Sequence, residues 1–365
     1  MKVLLLSDTY SEHTEKWALG LADLGIQIGL FSFNKASYEW YNHPNITVYF
    51  EPDKEINAES TLTKLSYLKY VKILKKIIKQ FNPDILHAHY ATSYGLVGAL
   101  SGFKPFILSV WGSDVYDFPK KSKLHKKVFQ YNLKKAQVLM STSEVMKLEL
   151  SKYTSKPVIV TPFGVDTKKF SRSSHESEKD DIIKIGTIKP IEEKYGIKYI
   201  IEAAELVKNK YSDKKFKFYL IGRSFNEEMY KTLIRDKNLE SVFELTGRIS
   251  FNEIAKWHNK LDIFLNVSID DSESFGVATV EAMCCETPVI VTDVGGLKEV
   301  VGEGKFGKVI PKMNAQALFE AISDIVENPI QSDKIAKEAR LHVLDKYDWN
   351  NNLALMVEQY KLAIQ

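Results

Sequence analysis

Two glutamates eight residues apart, Glu273 and Glu281, are the residues whose type and spacing most suggest chemistry in this chain. They lie in D-S-E-S-F-G-V-A-T-V-E, between apolar runs that predict strands over 262–267 and 288–291. Because eight residues rise about 12 Å in a helix, the two carboxylates cannot address one atom. We therefore expect them to bind different parts of one long ligand.

The residues between the two glutamates are predicted to form the first turn of a helix: Ser274, Phe275, Gly276 and Val277. The unpaired N–H groups and the positive dipole end of such a turn suit a phosphate group. The alternative is that Glu273 only caps this helix and that Glu281 lies on a solvated face.

The surrounding sequence, E-S-F-G-V-A-T-V-E-A-M and then T-P-V-I-V-T-D-V-G-G-L-K-E-V-V, carries a resemblance to a known family. It resembles the E-x7-E motif of retaining nucleotide-sugar glycosyltransferases with a GT-B fold, family 4, also called glycosyl transferases group 1. The resemblance implies that Glu273 is catalytic and contacts donor-sugar hydroxyls, and that Glu281 holds the ribose. It also implies that Glu299 lies near the diphosphate, although Glu299 could merely begin a helix.

A loop near residue 190, I-G-T-I-K-P-I-E-E-K-Y-G, resembles the family's G-R-x-x-x-x-K-G loop, whose Arg and Lys neutralise the diphosphate. Thr187 stands where that Arg is usual. The resemblance implies a catalytic role for Lys194, one residue from the usual Lys position, while Lys189 could replace the missing Arg. Loop lysines are often only solvated, but expelling a diphosphate without a metal requires fixed cations.

Two further loops of the second half resemble nucleotide-binding loops of the family. Arg223, after Gly222, could reach the phosphates. The segment L-T-G-R-I resembles the loop that holds the base by backbone contacts, which implies that role for Gly247, Arg248 and Ile249.

Two segments of the first half suggest further site residues. In D-I-L-H-A-H-Y we interpret His87 and His89 as facing opposite sides of a strand, which argues against a shared metal. The family's D-x-x-H-x-H pattern implies that His89 contacts a sugar, with His87 structural. The segment S-V-W-G-S-D-V is similar to the family's H-G-x-D, which implies a catalytic-site position for Asp114 beside Ser113. The alternative is a turn formed by Gly112.

The elements that must position these residues alternate between short β-branched strands and amphipathic helices, as in parallel α/β domains. We predict two doubly wound Rossmann-like domains facing a central cleft, the GT-B fold that the resemblance implies. The predicted boundaries are an acceptor-side domain over 1–170, a polar linker over 171–181 and a nucleotide-sugar domain over 182–345. The resemblance implies that a last helix, 346–365, crosses back to the first domain.

Composition sets the compartment and the partners. The chain has 365 residues and two adjacent cysteines, Cys284 and Cys285, which we expect to be buried thiols of a cytoplasmic protein. Residues 1–170 contain 23 Lys/Arg and 15 Asp/Glu, and the lysine-rich helical runs 69–79 and 120–135 could contact anionic membrane at its inner face. The alternative is that they are ordinary solvated helices. Basic helices could also bind nucleic acid, but no recognisable nucleic-acid-binding motif supports such a partner.

The resemblance implies a glycosyltransferase of hexosyltransferase type that uses a nucleoside-diphosphate sugar and no metal or other cofactor. The acceptor is expected to be a carbohydrate or a lipid-linked molecule in surface polysaccharide or glycolipid synthesis. Two alternatives stay open: a GT-B-fold nucleotide-sugar epimerase, and a non-catalytic subunit that binds the nucleotide sugar. A nicotinamide-dependent oxidoreductase is disfavoured because no G-x-G-x-x-G follows the first strand.

Overall fold

Short apolar runs form thirteen strands in the computed structural model, which describes residues 1–52, 63–173 and 181–365. The strands are β1 (Lys2–Leu6), β2 (Gln27–Phe31), β3 (Ile46–Phe50), β4 (Ile85–His89), β5 (Phe106–Ser109), β6 (Val138–Ser141), β7 (Val158–Val160), β8 (Ile182–Ile188), β9 (Lys215–Ile221), β10 (Phe243–Gly247), β11 (Ile263–Asn266), β12 (Val289–Thr292) and β13 (Lys308–Ile310).

Helices with one apolar face connect these strands. They are α1 (Glu12–Asp23), α2 (Thr63–Phe81), α3 (Ser93–Ser101), α4 (Ser113–Tyr116), α5 (Lys123–Lys135), α6 (Glu144–Leu150), α7 (Ile197–Lys210), α8 (Glu227–Asp236), α9 (Ile254–Lys260), α10 (Val277–Cys284), α11 (Leu297–Val300), α12 (Ala315–Glu327), α13 (Pro329–Lys346) and α14 (Trp349–Ile364). Among the described residues, none of these helices has the length and apolarity that a membrane crossing requires.

The chain divides into two units, Met1–Phe163 with Asn350–Gln365, and Gly164–Trp349. The first unit contains a seven-stranded parallel sheet in the order β3-β2-β1-β4-β5-β6-β7. Its strands are almost wholly apolar, as expected of parallel strands covered on both faces. The strand order reverses between β1 and β4, and ligands of such sheets bind beyond the carboxyl ends of the strands at that point.

The second unit repeats the scheme with six parallel strands in the order β10-β9-β8-β11-β12-β13. The reversal here lies between β8 and β11, whose carboxyl ends lead to Lys189 and Val267. The buried core includes Ile185, Leu220 and Leu265. The prediction of two doubly wound α/β domains is therefore confirmed.

The last helix, α14, belongs to the first unit although it follows the second in the chain. Tyr360 on this helix is fully buried, and its hydroxyl lies 2.7 Å from Nδ1 of His87. The predicted return of the last helix to the first domain is confirmed by this grouping.

The segment after the first unit packs on the second one. Phe170 is buried, and the backbone N–H of Ser173 donates to Oδ1 of Asn259 on α9 over 2.7 Å. Residues 174–180 of the predicted linker lie outside the described residues. The two cysteines are free and buried as expected, and Sγ of Cys284 lies 3.0 Å from the Phe170 carbonyl oxygen.

Candidate active site

An ion pair lies at the carboxyl edge of the second sheet, between the loop after β8 and the loop after β11. Nζ of Lys189 lies 2.9 Å from both carboxylate oxygens of Glu273. Each side chain is only 13% exposed. Burial makes such a bidentate pair stronger and less screened than a surface pair. The interpretation of Glu273 as a mere helix cap does not fit this geometry, and neither does a purely solvated Lys189.

A network of hydrogen-bonded, buried polar side chains holds the loop that carries Glu273 in place. Oγ of Ser268 lies 3.3 Å from Oε2 of Glu273 and 2.9 Å from Oδ1 of Asn266. Nδ2 of Asn266 donates to Oγ1 of Thr279 on α10 over 3.0 Å, and Oγ1 of Thr292 donates to the carbonyl of Ser268 over 2.6 Å. These bonds fix the loop after β11 to the end of β12 and to α10, so Glu273 has a rigid base.

Two glycines after β12 allow the loop that carries Glu273 to pack backbone against backbone. The N–H of Gly296 donates to the carbonyl of Glu273 over 2.9 Å. A Cβ on Gly296 would lie 2.1 Å from the Ser274 carbonyl oxygen, and one on Gly295 would lie 2.2 Å from the Glu273 carbonyl oxygen. Any larger residue would displace the loop, which explains the G-G dipeptide.

The helix α10 begins later than predicted. Gly276, at φ 78°, is its N-cap, and the first helical residue is Val277. Ser274 and Phe275 therefore lie in the preceding loop and not in the first turn, because a left-handed residue interrupts the helical backbone. Phe275 is buried and packs edge-on against Tyr347, with 5.2 Å between ring centroids.

Glu281 lies on α10 and is 7% exposed, so the solvated-face interpretation is wrong. Its Oε2 lies 3.5 Å from Nε2 of the fully buried His258 on α9. Lys169 also contributes positive charge near this carboxylate, and burial lowers the pKa of the lysine while Glu281 opposes that shift. Sequence reasoning missed both partners.

Lys194, like Lys189, lies between β8 and α7. Lys194 is half exposed, with Nζ 3.3 Å from Glu192 Oε2, and both Lys189 and Lys194 lie over the ring of Tyr195 at 5.2 and 5.0 Å. The two lysines thus lie around one aromatic ring.

Three other predicted residues have identifiable surroundings. The guanidinium of Arg223 lies 4.5 Å from the ring centre of Phe225, and Gly247 adopts φ 71° at the end of β10. Arg248 is exposed beside the partly buried Ile249. Glu299 lies on α11, where its charge, second to burial, raises the pKa of Tyr347.

The first unit contains a cavity of about 1030 Å³ at the carboxyl ends of β1, β4 and β5. Carboxylates, an amide and aromatic rings share its lining, a mixture suited to the hydroxyls and apolar faces of a sugar. The lining includes Asp8, Asn34, His89, Tyr94, Trp111 and Asp114.

His87 and His89 lie on the same side of β4, so the expectation that they face opposite ways is wrong. Residues two apart in a strand share a face, and the two rings are 4.5 Å apart in an edge-on contact. His87 is fully occupied, with Nδ1 2.7 Å from Tyr360 Oη and Nε2 2.8 Å from Ser109 Oγ. This pairing agrees with its structural interpretation.

His89 lines the cavity, and two neighbouring side chains hold its ring in place. Its Nδ1 lies 2.9 Å from Oγ of Ser7, and its ring tilts against Trp111 with 4.4 Å between centroids. Burial lowers the pKa of His87 to about 3, and burial with the neighbours His87 and His13 lowers the pKa of His89 well below its usual value. Both rings are therefore neutral at physiological pH.

Asp114 is fully buried and organises two loops. Its Oδ2 accepts from the N–H of Ala91 over 2.8 Å, and its Oδ1 accepts from the N–H groups of Trp111 and Gly112 over 3.1 and 2.8 Å. Burial raises the pKa of Asp114, and these backbone bonds oppose that rise. Its carboxylate thus fixes the loops after β4 and β5 where they line the cavity.

Within residues 1–52, 63–173 and 181–365, no group of three or more His, Cys, Asp or Glu side chains is arranged to hold a metal ion.

Two family models and several known glycosyltransferases match this chain. Residues 2–143 match the family model described as glycosyl transferase 4-like, and residues 166–342 match the model described as glycosyl transferases group 1. An uncharacterised glycosyltransferase of Methanocaldococcus jannaschii is 30% identical, over 90% of this chain and 89% of the relative. The amylovoran biosynthesis glycosyltransferase AmsK of Erwinia amylovora is 24% identical, over 87% and 86%.

A solved structure supports the same assignment at the level of the fold. HepE of Anabaena, in complex with UDP and glucose, superposes with a TM-score of 0.78 at 18% identity, over 99% of each chain. The identity and coverage of the Methanocaldococcus relative, with family models on both units, show the family. The chain belongs to the glycosyl transferases group 1 family and is a glycosyltransferase of the GT-B fold.

Proposed function

We propose that the protein is a retaining glycosyltransferase that moves a sugar from a nucleoside-diphosphate sugar to an acceptor hydroxyl, in surface polysaccharide or glycolipid synthesis. The observation that carries the proposal is the buried pair of Lys189 and Glu273, together with the buried Glu281 on α10. Two loops and one helix thus supply a cation and two carboxylates held in different places, as a ligand with a sugar, a diphosphate and a ribose needs.

In this proposal each group contacts one part of the donor. Glu273 accepts hydrogen bonds from hydroxyls of the transferred sugar, and Glu281 accepts them from the ribose. Lys189 and Lys194, around Tyr195, neutralise the diphosphate with help from the amides at the start of α10. The loop from Gly247 to Ile249 holds the base, and Arg223 and Glu299 lie at the edges of the diphosphate site.

The acceptor is proposed to bind in the cavity of the first unit, where His89 and Asp114 lie. Because its pKa is far below neutral, His89 contacts a sugar as a neutral hydrogen-bonding ring. Asp114 keeps the two loops in place through their backbone amides. The name of AmsK, which refers to amylovoran biosynthesis, favours a polysaccharide as the product class.

The proposed reaction needs neither a metal nor another cofactor. An acceptor oxygen forms a bond to the anomeric carbon on the face that the diphosphate leaves, while the bond from that carbon to the phosphate oxygen breaks. The acceptor's proton passes to the leaving phosphate, whose charge the lysines stabilise. The same-face attack retains the anomeric configuration.

We also propose that the basic first unit contacts anionic membrane at the cytoplasmic side. Lys123, Lys126 and Lys127 on α5 are exposed, and so is the apolar Leu124 among them. A helix of this pattern lies in a membrane interface when the lipid is anionic. Such contact would bring the cavity near a lipid-linked acceptor.

The test combines donor binding with product analysis. We expect one of UDP-glucose, GDP-mannose and ADP-glucose to raise the melting temperature of the protein. With that donor and an acceptor, NMR should show a product with the anomeric configuration of the donor. Glu273→Gln should lower turnover by about 10- to 100-fold, the effect of losing hydrogen bonds to a charged group.

Glu303→Gln is the matched control, because Glu303 forms an exposed ion pair with Lys298 on the neighbouring turn. Its turnover should equal that of the wild type. Inverted product, or wild-type turnover of Glu273→Gln, would contradict the proposal. Consumption of the donor without any acceptor would favour the epimerase.

A further inference from the structure

His258 on α9 is a buried polar residue without a hydrogen bond. Its side chain is 0% exposed, and neither ring nitrogen has a hydrogen-bond partner among the described residues. Nearly all buried polar groups of native proteins are paired, so an exception needs an explanation. The cost of leaving such a group unpaired is tolerated where another state of the protein uses it.

The ring is held rigidly next to Glu281. Aromatic rings of Phe170 and Phe264 lie 6.2 and 5.1 Å from it, both roughly edge-on. The carbonyl of His258 accepts from Oγ1 of Thr287 over 2.7 Å, which anchors the backbone of α9 at this position. These contacts surround the ring and anchor its backbone, so we expect a change in the pair to come from the carboxylate.

The carboxylate of Glu281 lies within reach but is not correctly oriented. Its Oε2 is 3.5 Å from Nε2 of His258, and the pair lacks hydrogen-bond geometry. Normal N–H···O bonds measure about 2.7–3.2 Å, so a small rotation of the glutamate side chain would form one. A carboxylate that accepts two ribose hydroxyls must adopt a single orientation, and an N–H behind it would select that orientation.

We propose that His258 is a positioning residue for Glu281: its Nε2–H donates to Oε2 of Glu281 once a nucleoside diphosphate binds. The inference rests on the proposed function, because it takes Glu281 to hold the ribose. His258 does not touch the nucleotide and acts only through the glutamate. It therefore affects how tightly the nucleotide binds and not the rate of the chemical step.

The test is calorimetric titration of the full chain with UDP, GDP and ADP, followed by steady-state kinetics with the matching donor. His258→Phe keeps the ring shape and removes both nitrogens. We expect its Kd and its donor KM to rise by about 10-fold, the loss of one hydrogen bond to a charged group, with kcat unchanged. His258→Gln keeps an N–H near the position of Nε2 and should restore most of the affinity.

The thermal stability of His258→Phe should not fall, in contrast to its affinity for the nucleotide. Replacing an unpaired buried imidazole with an apolar ring removes a desolvation cost, so Tm of His258→Phe without nucleotide should equal or exceed that of the wild type. A residue with a purely structural role would lose Tm and keep Kd. If His258→Phe does not fold, His258→Leu provides the same measurement with a different shape.

Two further variants separate the possible outcomes. Ser323→Ala removes another buried side chain that has no hydrogen bond among the described residues, and it should leave Kd unchanged. Glu281→Gln should weaken nucleotide binding. If Glu281→Gln binds as the wild type does, the ribose role falls and the inference with it. If Glu281→Gln binds weakly but His258→Phe binds normally, the inference alone is overturned.

Discussion

At the scale of single residues, Lys189 is the cation whose role the sequence determined least, and its position suits it to two roles. It holds Glu273 through both carboxylate oxygens, and its Nζ lies over Tyr195 beside Lys194. Thr187, where the family's arginine is usual, is buried inside β8 and cannot supply a charge. We therefore propose that Lys189 replaces that arginine.

Replacement of Lys189 should affect both roles at once. Lys189→Met removes the charge, so Glu273 loses its partner and the diphosphate loses a cation. We expect kcat/KM for the donor to fall by about 10- to 100-fold. Lys189→Arg keeps the charge and should retain most of the activity. Steady-state kinetics with the donor found by thermal shift measures both variants.

Lys298→Met is the control, because Lys298 pairs with Glu303 at the surface of the same unit. Its kcat/KM should match that of the wild type, since exposed pairs contribute little. Wild-type activity of Lys189→Met would remove this lysine from the site.

The sequence could name the acids but not their partners. Glu273 and Glu281 stand out by spacing, whereas Lys189 lies 84 residues from Glu273 and only the fold brings the two together. His258 carries no sequence signal, because an isolated histidine on a short helix is ordinarily structural. The expectation that His87 and His89 face opposite sides fails for a different reason. The two-residue period of a strand already places them on one face.

At the scale of elements, the loop carrying Glu273 depends on the glycines at the start of α11. Gly296 has φ −79°, a conformation that alanine adopts freely, so only the close contact with the Ser274 carbonyl excludes a side chain. The position of Glu273 thus depends on the lack of a Cβ atom at Gly296.

Gly296→Ala should therefore displace the loop without straining its own backbone. We expect a lower Tm and a fall in turnover of about 100-fold, because small displacements of catalytic groups are costly. Gly102→Ala is the control, since Gly102 has φ 75° but nothing lies within 4 Å of the added Cβ. It should lose about 1–2 kcal/mol of stability and keep its activity. Equal turnover in both variants would contradict the close-contact explanation.

The elements themselves were largely predictable, and their ends were not. The predicted strands 262–267 and 288–291 form β11 (Ile263–Asn266) and β12 (Val289–Thr292), each end within one residue of its predicted place, because apolar and β-branched runs favour strands. The start of α10 was placed too early because Gly276 can be either helical or left-handed, and the sequence does not distinguish the two. In the structure Gly276 is left-handed, and a Cβ added there would lie 2.3 Å from Cδ2 of Leu297.

At the scale of the whole molecule, charge is divided unevenly between the two halves of the sequence. Residues 1–170 carry a net charge of 23 − 15 = +8, and residues 171–365 carry 27 − 32 = −5. On α5, Phe129 and Leu133 are buried, while Leu124 is 61% exposed among lysines. The exposed side of this helix thus combines cations with apolar surface, the combination that binds anionic interfaces.

Sedimentation with lipid vesicles tests this membrane contact. We expect the protein to bind vesicles that contain anionic phosphatidylglycerol, to leave neutral phosphatidylcholine vesicles unbound, and to dissociate as salt is raised. Lys123→Glu with Lys127→Glu should weaken binding by at least about 10-fold, since each lysine near an anionic surface contributes about 1 kcal/mol. The matched control, Lys214→Glu with Lys256→Glu, reverses two exposed lysines of the second unit and should bind as the wild type does. Equal loss in both double variants would show a diffuse effect of net charge, and binding to neither kind of vesicle would make α5 an ordinary solvated helix.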